Sequence, residues 1–241
     1  MRHMKNPPNL KRPSRWHSED KHPGITIDTR NPTALTTDGT RRFFNIREVG
    51  QTSKHGGLAR ADYPMLPLFN NKVYYFEVTI NAAVSEGSMA VGFCEDRASL
   101  NQMLGSDREG WGFHSENGEL RWNSMFAVYI YKSGTWPYHE PYGKAGVTIG
   151  CGVNFDKNIA FYTRNNVVLG QAFTDIRGKL YPAVSFNFRD KGWRVSAVFP
   201  GEDGTSDDFV FKGALDGETT LIPPIQKPVQ VYREPREMKV P

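Results

Sequence analysis

The feature that most constrains this chain is a two-residue rhythm. In Val73-Tyr74-Tyr75-Phe76-Glu77-Val78-Thr79-Ile80, the residues Tyr74, Phe76, Val78 and Ile80 alternate with Tyr75, Glu77 and Thr79. Successive side chains of a strand point to opposite faces, so this run turns one face toward a core. The rhythm returns in Ser88–Cys94, where Met89, Val91 and Phe93 oppose Ala90 and Gly92. It returns again in Val147–Asn154, where Val147, Ile149, Cys151 and Val153 oppose Gly150 and Gly152. Residues 159–163, 167–173, 181–186 and 193–199 add further strand-like runs. Apolar residues rarely recur at helical spacing; Arg97–Leu104 is the best window for one short helix. Asn117-Gly118, Asp156-Lys157-Asn158 and Asn165-Asn166 punctuate the runs as tight turns. Many strands, short connections and almost no helix predict an all-β fold built as an antiparallel sandwich or barrel.

Composition divides the chain into three. Residues 1–23 are polar and carry a net charge of +4, which equals that of the whole chain, and they read as a basic arm. Residues 24–212 carry the strands and form the domain. Residues 213–241 are Pro-rich and partly acidic and read as a tail; Asp207–Phe211 just before it reads as a last strand. No concentrated basic stripe crosses the strand region, which argues against nucleic acid as a partner. No apolar run is long enough for a membrane span, and the N-terminus lacks the apolar segment of a secretory signal. Two cysteines, Cys94 and Cys151, make no disulfide framework, and the one Asn-x-Thr triplet has a proline in its middle. Cytosol or nucleus is the expected location.

A catalytic centre finds little support. The six histidines are scattered, and no Gly-x-Ser-x-Gly elbow or phosphate-binding Gly-x-x-x-x-Gly-Lys loop occurs. Gly150-Cys151-Gly152 lacks the third glycine of a dinucleotide fingerprint and lies between strands. The chain is expected to be no enzyme and to take neither cofactor nor metal. Two acids brought together from distant positions are the remaining enzymatic alternative.

The order of motifs resembles the SPRY (B30.2-like) domain, in the branch of Ran-binding-protein-M-like proteins and their fungal relatives. Pro13-Ser14-Arg15-Trp16 followed by Asp20 resembles the lead-in of that branch, and Ala59-Arg60-Ala61-Asp62-Tyr63-Pro64 its VRADHP segment. Tyr74–Val78 is similar to the YYFEV strand, Met89–Phe93 to IGIGF, and Gly110–Gly118 to SYGYHGDDG. Pro141-Tyr142-Gly143, Ile149–Asn154, Ala160–Asn165, Leu180–Val184 and Phe209-Val210-Phe211 continue the match to about residue 212. The link between the Asn117-Gly118 turn and Pro141 is longer than in relatives. Ala145-Gly146-Val147-Thr148 replaces the usual Gly-Asp, and Tyr63 stands where a His is common.

The resemblance implies a bent β-sandwich of two antiparallel sheets, without catalysis, that binds a protein or short peptide through loops at one end. It further implies an adaptor or substrate-receptor role linked to ubiquitin ligases or trafficking, with ligase subunits as partners. Arg60 and Pro64 are placed near the binding edge by that resemblance. Arg60 equally suits an internal ion pair with Asp62 or Glu77. The loop Phe186–Lys191 offers Phe188 and Arg189 as anchors, and Leu100–Asp107 offers Met103 and Leu104; both also read as ordinary connections. Residues 121–140 hold six large aromatics, and burying each ring is worth about 1.5–3 kcal/mol, so something should cover them. Trp122, Phe126, Tyr129 and Tyr131 are expected to fold back as strand and core. Trp136, Tyr138 and His139 are the expected anchors of an exposed patch, which also suits pairing of two copies. Stacking of such rings on sugars makes a lectin-like sandwich the alternative function. Trp111 and Trp193 are expected in the core, and both cysteines as buried thiols.

Overall fold

The structure, a computed structural model, describes residues 11–37, 56–66, 73–84, 87–124, 134–137, 139–188, 192–201, 204–215 and 229–230, the strands 134–137 and 229–230 by their backbone alone. Among these residues there is no α-helix. Fifteen strands follow in chain order: β1 (Trp16–Lys21), β2 (Thr26–Ile27), β3 (Ala34–Thr36), β4 (Gly56–Ala61), β5 (Val73–Ala82), β6 (Met89–Cys94), β7 (Gly110–His114), β8 (Glu119–Trp122), β9 (Gly134–Pro137), β10 (Thr148–Asn154), β11 (Ile159–Arg164), β12 (Val167–Thr174), β13 (Tyr181–Asn187), β14 (Arg194–Val198) and β15 (Val229–Gln230). They form two sheets, in the orders β1-β4-β13-β6-β7-β8-β9 and β15-β12-β11-β10-β5-β14-β3-β2. All pairings are antiparallel except β12 with β15.

The alternation sets which side chains meet. Tyr74, Phe76, Val78 and Ile80 of β5 join Met89, Val91 and Phe93 of β6 and Ile149, Cys151 and Val153 of β10 in one core between the sheets. Trp111 and Trp193 lie in this core, fully buried, as expected. Phe93 stacks on Trp111 at 5.2 Å between ring centres, and Phe113 tilts against Tyr142 at 4.6 Å. The opposite residues build a smaller cluster on each outer face. Leu58, Ala90, Cys94 and Ala183 meet Ala98 and Leu104 outside the first sheet. Val73, Tyr75 and Phe161 meet Phe209 and Phe211 outside the second. Gly150 sits under this second cluster because a Cβ there would overlap the Tyr75 and Thr163 hydroxyls, which bond each other at 2.7 Å.

Four expectations change. Residues 16–21, which look like part of an arm, form β1 at the edge of the first sheet, and the Trp16 side chain is in the core with its Nε1–H donated to the Thr33 carbonyl at 2.8 Å. Arg97–Leu104 forms turns rather than a helix: Leu100, Met103 and Leu104 have the spacing of a helix face, yet they lie on the flat, small-residue outer face of the first sheet. Asp207–Phe211 pairs with no strand among the described residues, although both its phenylalanines are buried. In the β7–β8 hairpin only Gly118 takes positive φ (68°), so the turn spans residues 115–118 rather than a two-residue Asn-Gly loop.

Candidate functional site

The residues between β6 and β7 run across the outer face of the first sheet and back. Glu95 N–H donates to the Glu109 carbonyl at 2.7 Å where the excursion starts and closes. Leu58 N–H of β4 donates to the Leu100 carbonyl at 3.0 Å, and Leu104 N–H donates to the Ser185 hydroxyl of β13 at 2.9 Å. Beneath, the buried His114 imidazole reaches the Leu104 carbonyl from Nε2 at 2.9 Å. Burial and the Arg121 charge pull the His114 pKa down to about 3, so the ring is neutral and Nε2–H is the donor. Leu104 is therefore an anchor beneath the loop, and Met103, half-buried, is at the rim over Gly56, where a Cβ would press against its Cγ.

Phe188 follows β13 and comes to the same end of β4 from the inner side. Its ring tilts against His22 at 4.7 Å, and a Cβ on Gly57 would overlap both rings. The paired glycines thus let Met103 and Phe188 close on the start of β4 from opposite faces. His22 Nδ1 accepts the Gly24 N–H at 3.0 Å, and burial followed by the Lys21 charge lowers its pKa.

Arg60 and Pro64 lie toward the other end of β4. Arg60 is almost wholly buried on the outer face, with Nη2 on Asp20 of β1 at 2.7 Å and Nη1 on the Glu95 carbonyl at 2.8 Å. Its ion-pair partner is thus Asp20 rather than Asp62 or Glu77. Asp62 instead accepts from Ser14 and Arg15. Replacing Arg60 by Ala should cost about 1–2 kcal/mol, since two charged hydrogen bonds go but Asp20, one-third exposed, regains water. Arg60→Lys should recover little, because one ammonium does not reproduce the two-pronged reach to Asp20 and Glu95; urea denaturation of both variants checks this.

Trp136 lies on β9, the far edge of the first sheet, opposite Leu120 of β8, and the neighbouring Trp122 is in the core. Tyr138, Arg189, Phe126, Tyr129 and Tyr131 lie outside the described residues. The expected site residues thus divide: Met103 and Phe188 reach the start of β4 from opposite faces, Leu104 lies with Met103 on the outer face, Arg60 and Pro64 are at the opposite end, and Trp136 is on another edge. A groove of about 1160 Å³ between edge strands β1 and β2 was not among the expected sites; Arg15, Trp16, Lys21, Asp28, Asp62 and Tyr63 are among its walls. It arises only when β1 joins the sheet, and β1 does not announce itself in sequence.

Among the described residues no three His, Cys, Asp or Glu side chains stand together as a metal site would need, and no helix is long and apolar enough to cross a membrane. Both cysteines are free and buried, and burial pushes both thiols up.

Comparison with known proteins agrees with this architecture. The SPRY domain family model matches residues 73–200. A Ran-binding proteins 9/10 homolog of Drosophila melanogaster is 32% identical over 198 residues, which covers 82% of this chain and 18% of that protein. Ran-binding protein 9 of Homo sapiens is 30% identical over 172 residues, covering 71% and 21%. The chain therefore spans about a fifth of the length of these curated relatives. The crystal structure of the SPRY domain of human HERC1 superposes with a TM-score of 0.56 at 16% identity, covering 76% of this chain and 97% of that one, and shows the shared fold. With the family model spanning more than half of its residues, this chain belongs to the SPRY domain family, a protein-interaction fold.

Proposed function

We propose that the chain is a non-catalytic module that binds a short protein segment at the end of the first sheet where Met103 and Phe188 flank the start of β4 from its two faces. The observation that carries this reading is their approach to Gly56-Gly57: two partly exposed apolar side chains, from the connections after β6 and β13, seated against the start of β4, with Arg189 next to Phe188 in sequence. Interface anchors are drawn from such residues, with Arg and aromatics enriched. In this reading Trp136 and Tyr138 anchor a separate patch, and the 121–140 segment serves pairing of two copies. The biological role is that of an adaptor or substrate receptor in a ubiquitin-ligase or trafficking assembly, in the cytosol or nucleus. The names of the relatives make a Ran-type GTPase one protein to test as partner.

Screening a random peptide library against the whole chain tests the reading. A consensus peptide should emerge, and Met103→Ala/Arg189→Ala should weaken it about tenfold or more with the melting temperature unchanged. A second variant, Arg15→Ala/Tyr63→Ala, probes the β1–β2 groove. If that pair alone abolishes binding, the site is the groove and the Met103–Phe188 reading fails. If no peptide is selected while a glycan array gives a defined sugar, the lectin-like alternative replaces it.

A further inference from the structure

The segment around Phe209-Val210-Phe211 has the alternation of a strand and, among the described residues, none of its pairing. Phe209 and Phe211 point into the second sheet's outer face, and Val210 between them is 41% exposed. Phe209 meets the Tyr75 ring edge-on at 5.1 Å between centres, and Phe211 tilts against it at 5.9 Å. The main chain is held by a side chain: Glu77 Oε2 accepts the Val210 N–H at 2.7 Å and Oε1 the Phe211 N–H at 2.8 Å. The Tyr75 hydroxyl also donates to Glu77 Oε1, at 2.8 Å. One residue further on, Lys212 N–H donates to the Asn166 carboxamide at 2.8 Å.

The face that receives this segment does not need it for its own construction. Tyr75 and Glu77 stand on β5, which pairs with β10 along residues 73–79 and with β14 from Glu77 to Ala82, and Phe161 stands on β11, paired on both sides. What the segment supplies is two rings and two consecutive N–H groups. Those are the contacts of an extended peptide on a preformed surface. Gly201 N–H donates to the Thr205 carbonyl at 2.7 Å where the segment leaves the sandwich, and Gly204 takes φ 86°.

We propose that the outer face of the second sheet is a peptide-binding site for an aromatic-x-aromatic segment, read through Glu77 and filled in cis by Phe209-Val210-Phe211, and that a segment of the same chemistry supplied in trans takes its place. The site is on a different sheet from Met103 and Phe188 and stands or falls independently of them. Glu77 selects for main-chain N–H groups at two successive positions, so proline at either position is excluded. The two rings select for aromatic residues two apart. A tethered segment acts at an effective concentration of the order of millimolar, so a partner in trans competes only when the tether is opened.

The experiment uses the full chain with a protease site in place of residues 202–203. After cleavage, a fluorescent peptide of residues 204–215 is added and its anisotropy followed. The cut segment should exchange with the labelled peptide while the near-ultraviolet circular dichroism of the sandwich persists. Replacing both phenylalanines of the peptide by alanine should weaken binding about 100-fold. Proline at position 211 should weaken it about tenfold or more, as should Glu77→Gln in the cut protein. The peptide variants leave the receptor untouched, so they remain decisive if Glu77→Gln disturbs folding. Loss of the dichroism signal when the segment leaves would overturn the proposal, as the segment would then be part of the core. So would failure of the cut segment to exchange in excess peptide, or equal binding of the proline variant.

Discussion

Trp16→Ala should destabilise the domain by about 3–5 kcal/mol, the range for deleting a large buried aromatic side chain. Trp16 is 1% exposed, meets Phe199 edge-on at 5.3 Å, and gives its Nε1–H to Thr33. The substitution leaves a cavity at the margin of the core and takes one of two donors from the Thr33 carbonyl, which keeps the Ala197 N–H at 2.9 Å. It also frees the edge strand that carries Asp20, the partner of Arg60. Arg15→Ala is the control. Its ion pair to Asp62 spans 3.4 Å with the Arg side chain 61% exposed, and such pairs contribute well under 1 kcal/mol. Urea denaturation reads both: the midpoint should fall sharply for Trp16→Ala at an unchanged slope and hardly move for Arg15→Ala. Equal, small effects would mean that residues 16–21 are the solvated arm their composition suggests, and that the first sheet begins at β4.

That contrast shows what was legible in the residues. Strands with one face on the core were readable because every second position is apolar, as in β5, β6 and β10. Trp16-His17-Ser18-Glu19-Asp20-Lys21 hides its strand, because an edge strand buries one large residue and leaves the others to solvent. The bulge there removes even the rhythm: Trp16 pairs with Ala61 and Lys21 with Ala59, so five steps on β1 answer two on β4. His17 Nδ1 fills part of the gap by accepting the Asp20 N–H at 2.9 Å. Helical spacing misleads at Leu100, Met103 and Leu104 for the opposite reason, since an apolar triplet is equally satisfied by lying flat across Ala90, Ala183 and the Ser185 hydroxyl. The site residues were harder still. No local pattern says that Phe188 will meet His22 over Gly57, or that Glu77 will hold the backbone of residues more than 130 positions later. Residue type suggested anchors, but long-range pairing decided which of them meet.

Acid should weaken the wild type more than His114→Gln, and the difference isolates one imidazole. His114 titrates near 6.5 when unfolded and at about 3 in the fold, where burial and Arg121 oppose its charge. Between those values the unfolded chain holds a proton that the folded chain refuses, so stability falls as pH falls from 6.5 toward 3. From pH 7 to 4.5 that amounts to roughly 2.5 kcal/mol. Glutamine keeps an N–H for the Leu104 carbonyl but cannot titrate. Its loss of stability over the same interval should be smaller by about that amount, read from urea denaturation at the two pH values. His22, also lowered, remains in both proteins and cancels. The consequence reaches the candidate site, because the buried ring holds the Leu104 carbonyl and, through the preceding residue, the rim position of Met103. Charging His114 requires water to reach it, and water reaches it when residues 95–109 lift from the sheet. Amide exchange at Leu104 should therefore accelerate in acid, beyond its intrinsic pH dependence, before the core strands β5 and β10 open. If Leu104 and those strands lose protection together, the loop has no separate equilibrium, and Met103 is as rigid in acid as at neutral pH.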